Sequence, residues 1–175
     1  GDRKGKKKMR EWKKKIGLAL LFLVCTWCVM PQAKAQANVV IVLDPGHGGS
    51  EAGATRSWNG KTYKEEVINQ KIANCCKAEL ETYEGVTVYM TRTGDTTMSL
   101  EDRVDYAAGK KATVLVSQHI NSTNNNQDSV SGSLVFVATG NYRPDLKNES
   151  WALSNTILSE LSKLGLNNLG LLVRK

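Results

Sequence analysis

Short apolar runs and longer amphipathic stretches alternate along this chain. Val39-Val40-Ile41-Val42-Leu43 and Ala112-Thr113-Val114-Leu115-Val116 are β-branched and bounded by turn-forming residues, which is the pattern of buried strands. Strands are expected over Asn38–Leu43, Val86–Met90, Ala112–Gln118 and Ser133–Ala138. Between them the apolar period lengthens to that of a helix. Glu65–Tyr83 places Ile68, Ile72, Cys76, Leu80 and Tyr83 on one stripe, with Gly85 ending the segment. Ser99-Leu100-Glu101-Asp102 has the form of a capping box and starts a short helix through about Ala108. Leu146–Leu164 forms a second long helix, with Leu153, Ile157, Leu161 and Leu164 on its stripe. Asp44–Lys61 is a glycine-rich loop, long enough to be functional, and Asn121–Asp128 is polar and aperiodic. Strands alternating with helices predict an α/β fold with a mostly parallel, twisted sheet flanked by helices.

Charge divides the 175 residues unevenly. The net charge is +7, yet residues 1–37 hold ten of the 24 basic and two of the 17 acidic residues. Residues 38–175 therefore carry 14 basic and 15 acidic groups, which removes any electrostatic case for nucleic-acid binding. The N-terminal segment has the order of a secretory signal. Basic Met9–Lys15 precedes apolar Ile16–Met30, and Pro31-Gln32-Ala33-Lys34-Ala35-Gln36-Ala37 offers cleavage after Ala35 or Ala37. Met9 reads as the start, with residues 1–8 upstream of it. The apolar run is shorter than the ~20 residues of a membrane span. Export without stable membrane association after cleavage is expected, an uncleaved anchor being the alternative. Cys25 and Cys28 would leave with the signal. Cys75 and Cys76 are neighbours within a helical pattern, where a bond between them would be strained. They read as packing residues, so the exported domain is not a disulfide scaffold.

The only two histidines, His47 and His119, each follow one of the buried strand runs. In an open α/β sheet, ligands collect at the carboxyl ends of the strands, so the two imidazoles can share one metal site. Catalytic zinc usually takes three protein ligands, and two histidines with a carboxylate is a known set. Glu65 lies near the centre of the apolar stripe of its helix. Glu66 lies about 100° away, at the polar edge, and Glu79 lies at the far end. Taken singly, His47 reads as a turn residue, His119 as a strand-end residue, and Glu65 and Glu66 as first-turn carboxylates favoured by the helix dipole. Together, His47, Glu65 and His119 make a metallohydrolase the leading idea. Arg92 and Arg103 read as ion-pairing residues ahead of ligands for a substrate carboxylate. Asn121 is a candidate for orienting His119, and Ser122–Val130 for a substrate lip.

These residues fall into motifs. Asp44-Pro45-Gly46-His47-Gly48-Gly49, Glu65-Glu66-Val67-Ile68-Asn69, Thr91-Arg92-Thr93-Gly94-Asp95, Ser99-Leu100-Glu101-Asp102-Arg103 and Ser117-Gln118-His119-Ile120-Asn121-Ser122 occur in this order. From about Val39 onward the chain resembles the zinc-dependent N-acetylmuramoyl-L-alanine amidases of family 3, which cut bacterial cell walls. The resemblance implies zinc held by His47, Glu65 and His119. It also implies peptidoglycan as the partner and hydrolysis of the amide between N-acetylmuramic acid and L-alanine, in a secreted or cell-envelope protein. The family's general base is a glutamate near the end of the domain, following an apolar strand. Gly170–Lys175 resembles the short strand upstream of that motif. The expectation is thus a signal segment over 1–37 and a catalytic domain over 38–175 whose last strand, last helix and catalytic glutamate lie beyond Lys175. The rival readings are a zinc peptidase of wall peptides and a non-catalytic wall-binding module.

Overall fold

The computed structural model describes residues 38–120, 122, 131–138 and 144–174. The expected signal segment, Asn121 and most of the proposed lip lie outside the described residues. The described chain divides into two compact units. One comprises the residues up to Gly53 and Glu66–Gln118; the other comprises Ala54–Glu65 and the residues from His119 onward.

The first unit is built on a parallel sheet. Strand β1 (Val39–Pro45) lies between β4 (Val86–Met90) and β5 (Val114–Gln118). Ile41 is in register with Val88 on one side and Val114 on the other. Helix α1 (Glu65–Leu80) packs on one face, where Ala73, Cys76 and Leu80 meet Leu43, Val88, Met90 and Val116. Alternation along β1 turns Val42 and Asp44 to the other face, where Arg103 of helix α2 (Leu100–Gly109) reaches Asp44. The sheet thus has a helix on each face, as expected. Ser99 caps α2 through the predicted capping box with Asp102.

The buried face of α1 departs from the hydrophobic stripe. Glu66, Asn69 and Ala73 are buried, while Ile72 and Tyr83 are 42% and 57% exposed. At 100° per residue the inner face is rotated by about 60° from the expected one. The cause is polar. Asn69 donates to the carbonyl of Gly46, and the carbonyl of Glu66 accepts from buried Arg92. Once these bonds are made, a polar residue sits inside more favourably than an isoleucine. Glu66 is therefore as buried as Glu65, which corrects its expected place at the polar edge. Cys75 and Cys76 are free thiols; Cys76 packs against the core as expected, whereas Cys75 is exposed and does not serve as a packing residue.

The second unit contains an antiparallel hairpin, β2 (Thr55–Trp58) with β3 (Lys61–Lys64), and a parallel pair, β6 (Ser133–Ala138) with β7 (Asn168–Arg174). The hairpin falls where a plain loop was expected. Asn59 and Gly60 both have positive φ, 50° and 73°, the backbone of a type I′ turn that Asn-Gly favours. Helix α3 (Lys147–Lys163) buries Ser154 and Leu158. Leu153 and Leu164 of the expected stripe are 41% and 79% exposed. Among the described residues, no helix is long and apolar enough to cross a membrane.

Candidate metal centre

Parallel pairing brings the carboxyl ends of β1 and β5 to the same sheet edge. Pro45 is in register with Gln118, and the Gly46 amide donates to the Gln118 carbonyl at 2.9 Å. The Gly46 carbonyl accepts from Asn69 Nδ2 at 3.3 Å and from Arg92 Nη2 at 3.0 Å; the same Nη2 also reaches the Glu66 carbonyl at 2.8 Å. Gly46, Gln118 and Glu66 are the chain neighbours of His47, His119 and Glu65. One hydrogen-bonded cluster therefore fixes the backbone beside each expected ligand.

Arg92 organises this cluster. A guanidinium has five N–H donors, and all five are used. Nε donates to the Pro45 carbonyl, Nη1 to Gln70 Oε1 and the Gly94 carbonyl, and Nη2 to the Gly46 and Glu66 carbonyls. Arg103 pairs with Asp44 at 2.6 Å and also donates to the carbonyls of Pro45 and His47. Both arginines are buried. The ion pair expected for Arg103 is present, whereas Arg92 is held by neutral acceptors.

Asp44 opens the first motif without a role assigned to it there, yet it ties three elements together. Its carboxylate accepts from Thr91 Oγ1, Arg103 Nη1 and Ser117 Oγ, each at 2.6 Å. Burial by itself would raise its pKa. The hydroxyls of Ser117 and Thr91 and the Arg103 guanidinium outweigh that and hold the carboxyl below its ordinary 3.8.

The loop carrying His47 is strained and closely packed. His47 has φ 62°, Gly48 φ 121° and Gly49 φ 64°, values that only glycine adopts freely. The Gly49 amide donates to Asp95 Oδ1 at 2.5 Å. A Cβ on Gly49 would stand 2.5 Å from the Thr97 amide nitrogen and would also collide with Thr97 Oγ1. Gly49→Ala is therefore expected to lose about 1–3 kcal/mol of stability, measured by urea unfolding. A Cβ on Gly94 would meet nothing within 4 Å, so Gly94→Ala should stay within about 0.5 kcal/mol of the parent.

Glu65 opens α1 and is buried at 5% exposure. Its amide donates to the Ala54 carbonyl and its Oε2 accepts from the Ala54 amide, both at 2.8 Å. Its Oε1 accepts from the Ile120 amide at 2.7 Å and lies 3.1 Å from His119 Nδ1. His47 Nδ1 lies 4.0 Å from Glu51 Oε2. His47, Glu65 and His119 each offer one ligand atom, and these atoms lie within 4.8 Å of one another. Two imidazoles and one carboxylate at that spacing fit a catalytic zinc set. Glu66, although buried, is not in this group.

The family model for N-acetylmuramoyl-L-alanine amidases matches residues 41–173. The chain belongs to this amidase family. Among curated relatives, the probable cell wall amidase LytH of Staphylococcus saprophyticus is 38% identical over 136 residues, covering 78% of this chain and 41% of the relative. The chain thus spans less than half the length of that relative. The N-acetylmuramoyl-L-alanine amidase AmiC2 of Nostoc punctiforme superposes with a TM-score of 0.63 at 31% identity, over 80% of this chain and 71% of that one. The N-acetylmuramoyl-L-alanine amidase from Clostridium difficile 630 superposes with a TM-score of 0.68 at 28% identity, over 81% and 71% of the two chains. These amidase relatives carry the parallel α/β architecture that this chain shares.

Proposed function

We propose that this protein is an exported, zinc-dependent amidase of the cell envelope. Its substrate is peptidoglycan, and it cleaves the amide between N-acetylmuramic acid and the L-alanine of the stem peptide. The observation that carries the proposal is the convergence of His47, Glu65 and His119 at the strand ends, in a chain of the amidase family. These three residues would hold the metal. When bound, zinc supplies Lewis acidity that polarises an amide carbonyl and makes water a competent nucleophile at neutral pH.

The protein's own residues supply position. Glu65 is held by the amides of Ala54 and Ile120, which keeps its carboxylate directed at His119. Arg103 holds the carbonyl of His47, and Arg92 holds the two residues before it. Such preorganisation keeps ligands in place without a reorganisation cost at each turnover.

The test is digestion of purified peptidoglycan by the full-length protein with zinc. Release of intact stem peptides beginning with L-alanine, abolished by a chelator and restored by zinc, is the expected result. New ends between amino acids of the stem would identify a wall peptidase instead. Binding without any new end would identify a non-catalytic wall-binding module.

A further inference from the structure

The β2–β3 hairpin presents a two-sided surface. Its register pairs Arg56 with Tyr63 and Trp58 with Lys61, so these four side chains share one face. Thr55, Ser57, Thr62 and Lys64 share the other, where Ser57 Oγ and Thr62 Oγ1 are 3.1 Å apart. Every hairpin residue is exposed, including Trp58 at 63% and Tyr63 at 37%. Lys61 Nζ stands 5.2 Å from the centre of the Tyr63 ring, a cation–π pair on the aromatic face.

Charge is concentrated here. Residues 55–64 hold three basic groups and no acidic one, whereas the rest of 38–175 holds eleven basic and fifteen acidic groups. The hairpin is also tied to the candidate metal centre. Lys64 is bonded directly to Glu65, and Ala54, before the first strand, exchanges two hydrogen bonds with Glu65. At about 3.4 Å per residue, Tyr63 stands ~7 Å and Trp58 ~14 Å along the strand from Glu65.

We infer that the Arg56–Trp58–Lys61–Tyr63 face is a binding surface for uncleaved peptidoglycan, seating sugar rings on Trp58 and Tyr63 and stem-peptide carboxylates on the cations. This rests on peptidoglycan being the substrate. Aromatic rings offer flat apolar surfaces with polar rims, and a carboxylate-bearing peptide complements a hairpin with three basic and no acidic residues in a slightly acidic domain. An extended stem peptide spans ~3.3–3.6 Å per residue, so a chain at the metal centre reaches both aromatics within about four residues.

The experiment is co-sedimentation of the full chain with purified sacculi stripped of anionic wall polymers, with zinc content measured on the same samples. Trp58→Ala/Tyr63→Ala should weaken binding about tenfold or more, the scale for removing aromatic anchors, with zinc content unchanged. Lys61→Glu should weaken it at low salt more than at high salt. Ser57→Ala/Thr62→Ala, on the opposite face, should bind as the parent does. Parental binding by the aromatic double variant, or equal loss from the opposite-face variant, would overturn the inference. Binding that disappears when the anionic polymers are stripped would do the same. Because binding is read without catalysis, hairpin-dependent binding by a chain that cuts nothing supports this inference and counts against the proposed activity alone.

Discussion

Glu65→Gln is expected to lower zinc affinity by more than ~100-fold, whereas Glu66→Gln should leave it within a few-fold of the parent. Outer-sphere partners of a metal ligand are typically worth 10–100-fold in affinity, so a direct ligand should exceed that. Glutamine keeps the size of Glu65 and removes its charge. It also sets an amide nitrogen against one of three groups now facing the carboxylate, namely the Ala54 amide, the Ile120 amide or His119 Nδ1. A stability loss of about 1–3 kcal/mol should accompany the metal effect. Competition with a chromophoric chelator reads the affinity, and far-UV circular dichroism checks the fold. Equal losses at positions 65 and 66 would remove Glu65 from the ligand set. The comparison is sharp because both carboxylates are equally buried, so burial alone predicts no difference between them.

Arg103→Met should cost about 3–5 kcal/mol, the range for leaving a buried charge without its partner. The stranded group is Asp44, 3% exposed. Thr91 and Ser117 still donate to it, but the cation paired with it at 2.6 Å is gone. The Pro45 and His47 carbonyls lose a donor as well, so zinc affinity should fall along with stability. Asp44→Asn in the same chain should recover part of the stability loss, because a neutral amide is less costly to bury than a carboxylate. The pH dependence has a definite sign. The carboxyl of Asp44 titrates below its ordinary 3.8 in the folded protein. Its contribution is therefore fully present above the unfolded pKa and is lost as pH falls through the lower, folded value. Urea midpoints measured from pH 6 downward should fall in the acid limb for the parent and fall less for Arg103→Met. Parallel curves would show that Asp44 draws no stability from Arg103.

Several features were legible residue by residue. The β-branched runs became β1 and β5, and Ser99 and Asp102 formed their capping box. Each is a local pattern, in which neighbouring side chains and one backbone turn decide the outcome. The hairpin was equally local but hidden, since all eight of its strand residues are exposed. It leaves no alternation of burial, and its one marker is Asn59-Gly60 at the turn.

Other features were not legible because the forces behind them join residues far apart in sequence. Hydrophobicity alone places Ile72 inside α1. The structure instead turns Asn69 inward, because the Gly46 carbonyl, 23 positions away, accepts its amide. The inner face of α3 likewise centres on Ser154 and Leu158 rather than on the leucine stripe. Asp44 looks like a loop residue until Thr91, Arg103 and Ser117 are brought around it.

The sequence by itself determined the order of the buried strands and the helices, though not the exposed hairpin, and named His47, Glu65 and His119 as the candidate ligands, since periodicity, capping and motif spacing are written in adjacent residues. The tertiary structure decided which helix faces turn inward. It also made Arg92 and Arg103 scaffolding for the His47 loop, and brought the three candidate side chains within reach of one another. Those outcomes depend on satisfying buried carbonyls and charges across elements. That requirement has no period along the chain, because a donor and its acceptor become neighbours only when the sheet has formed.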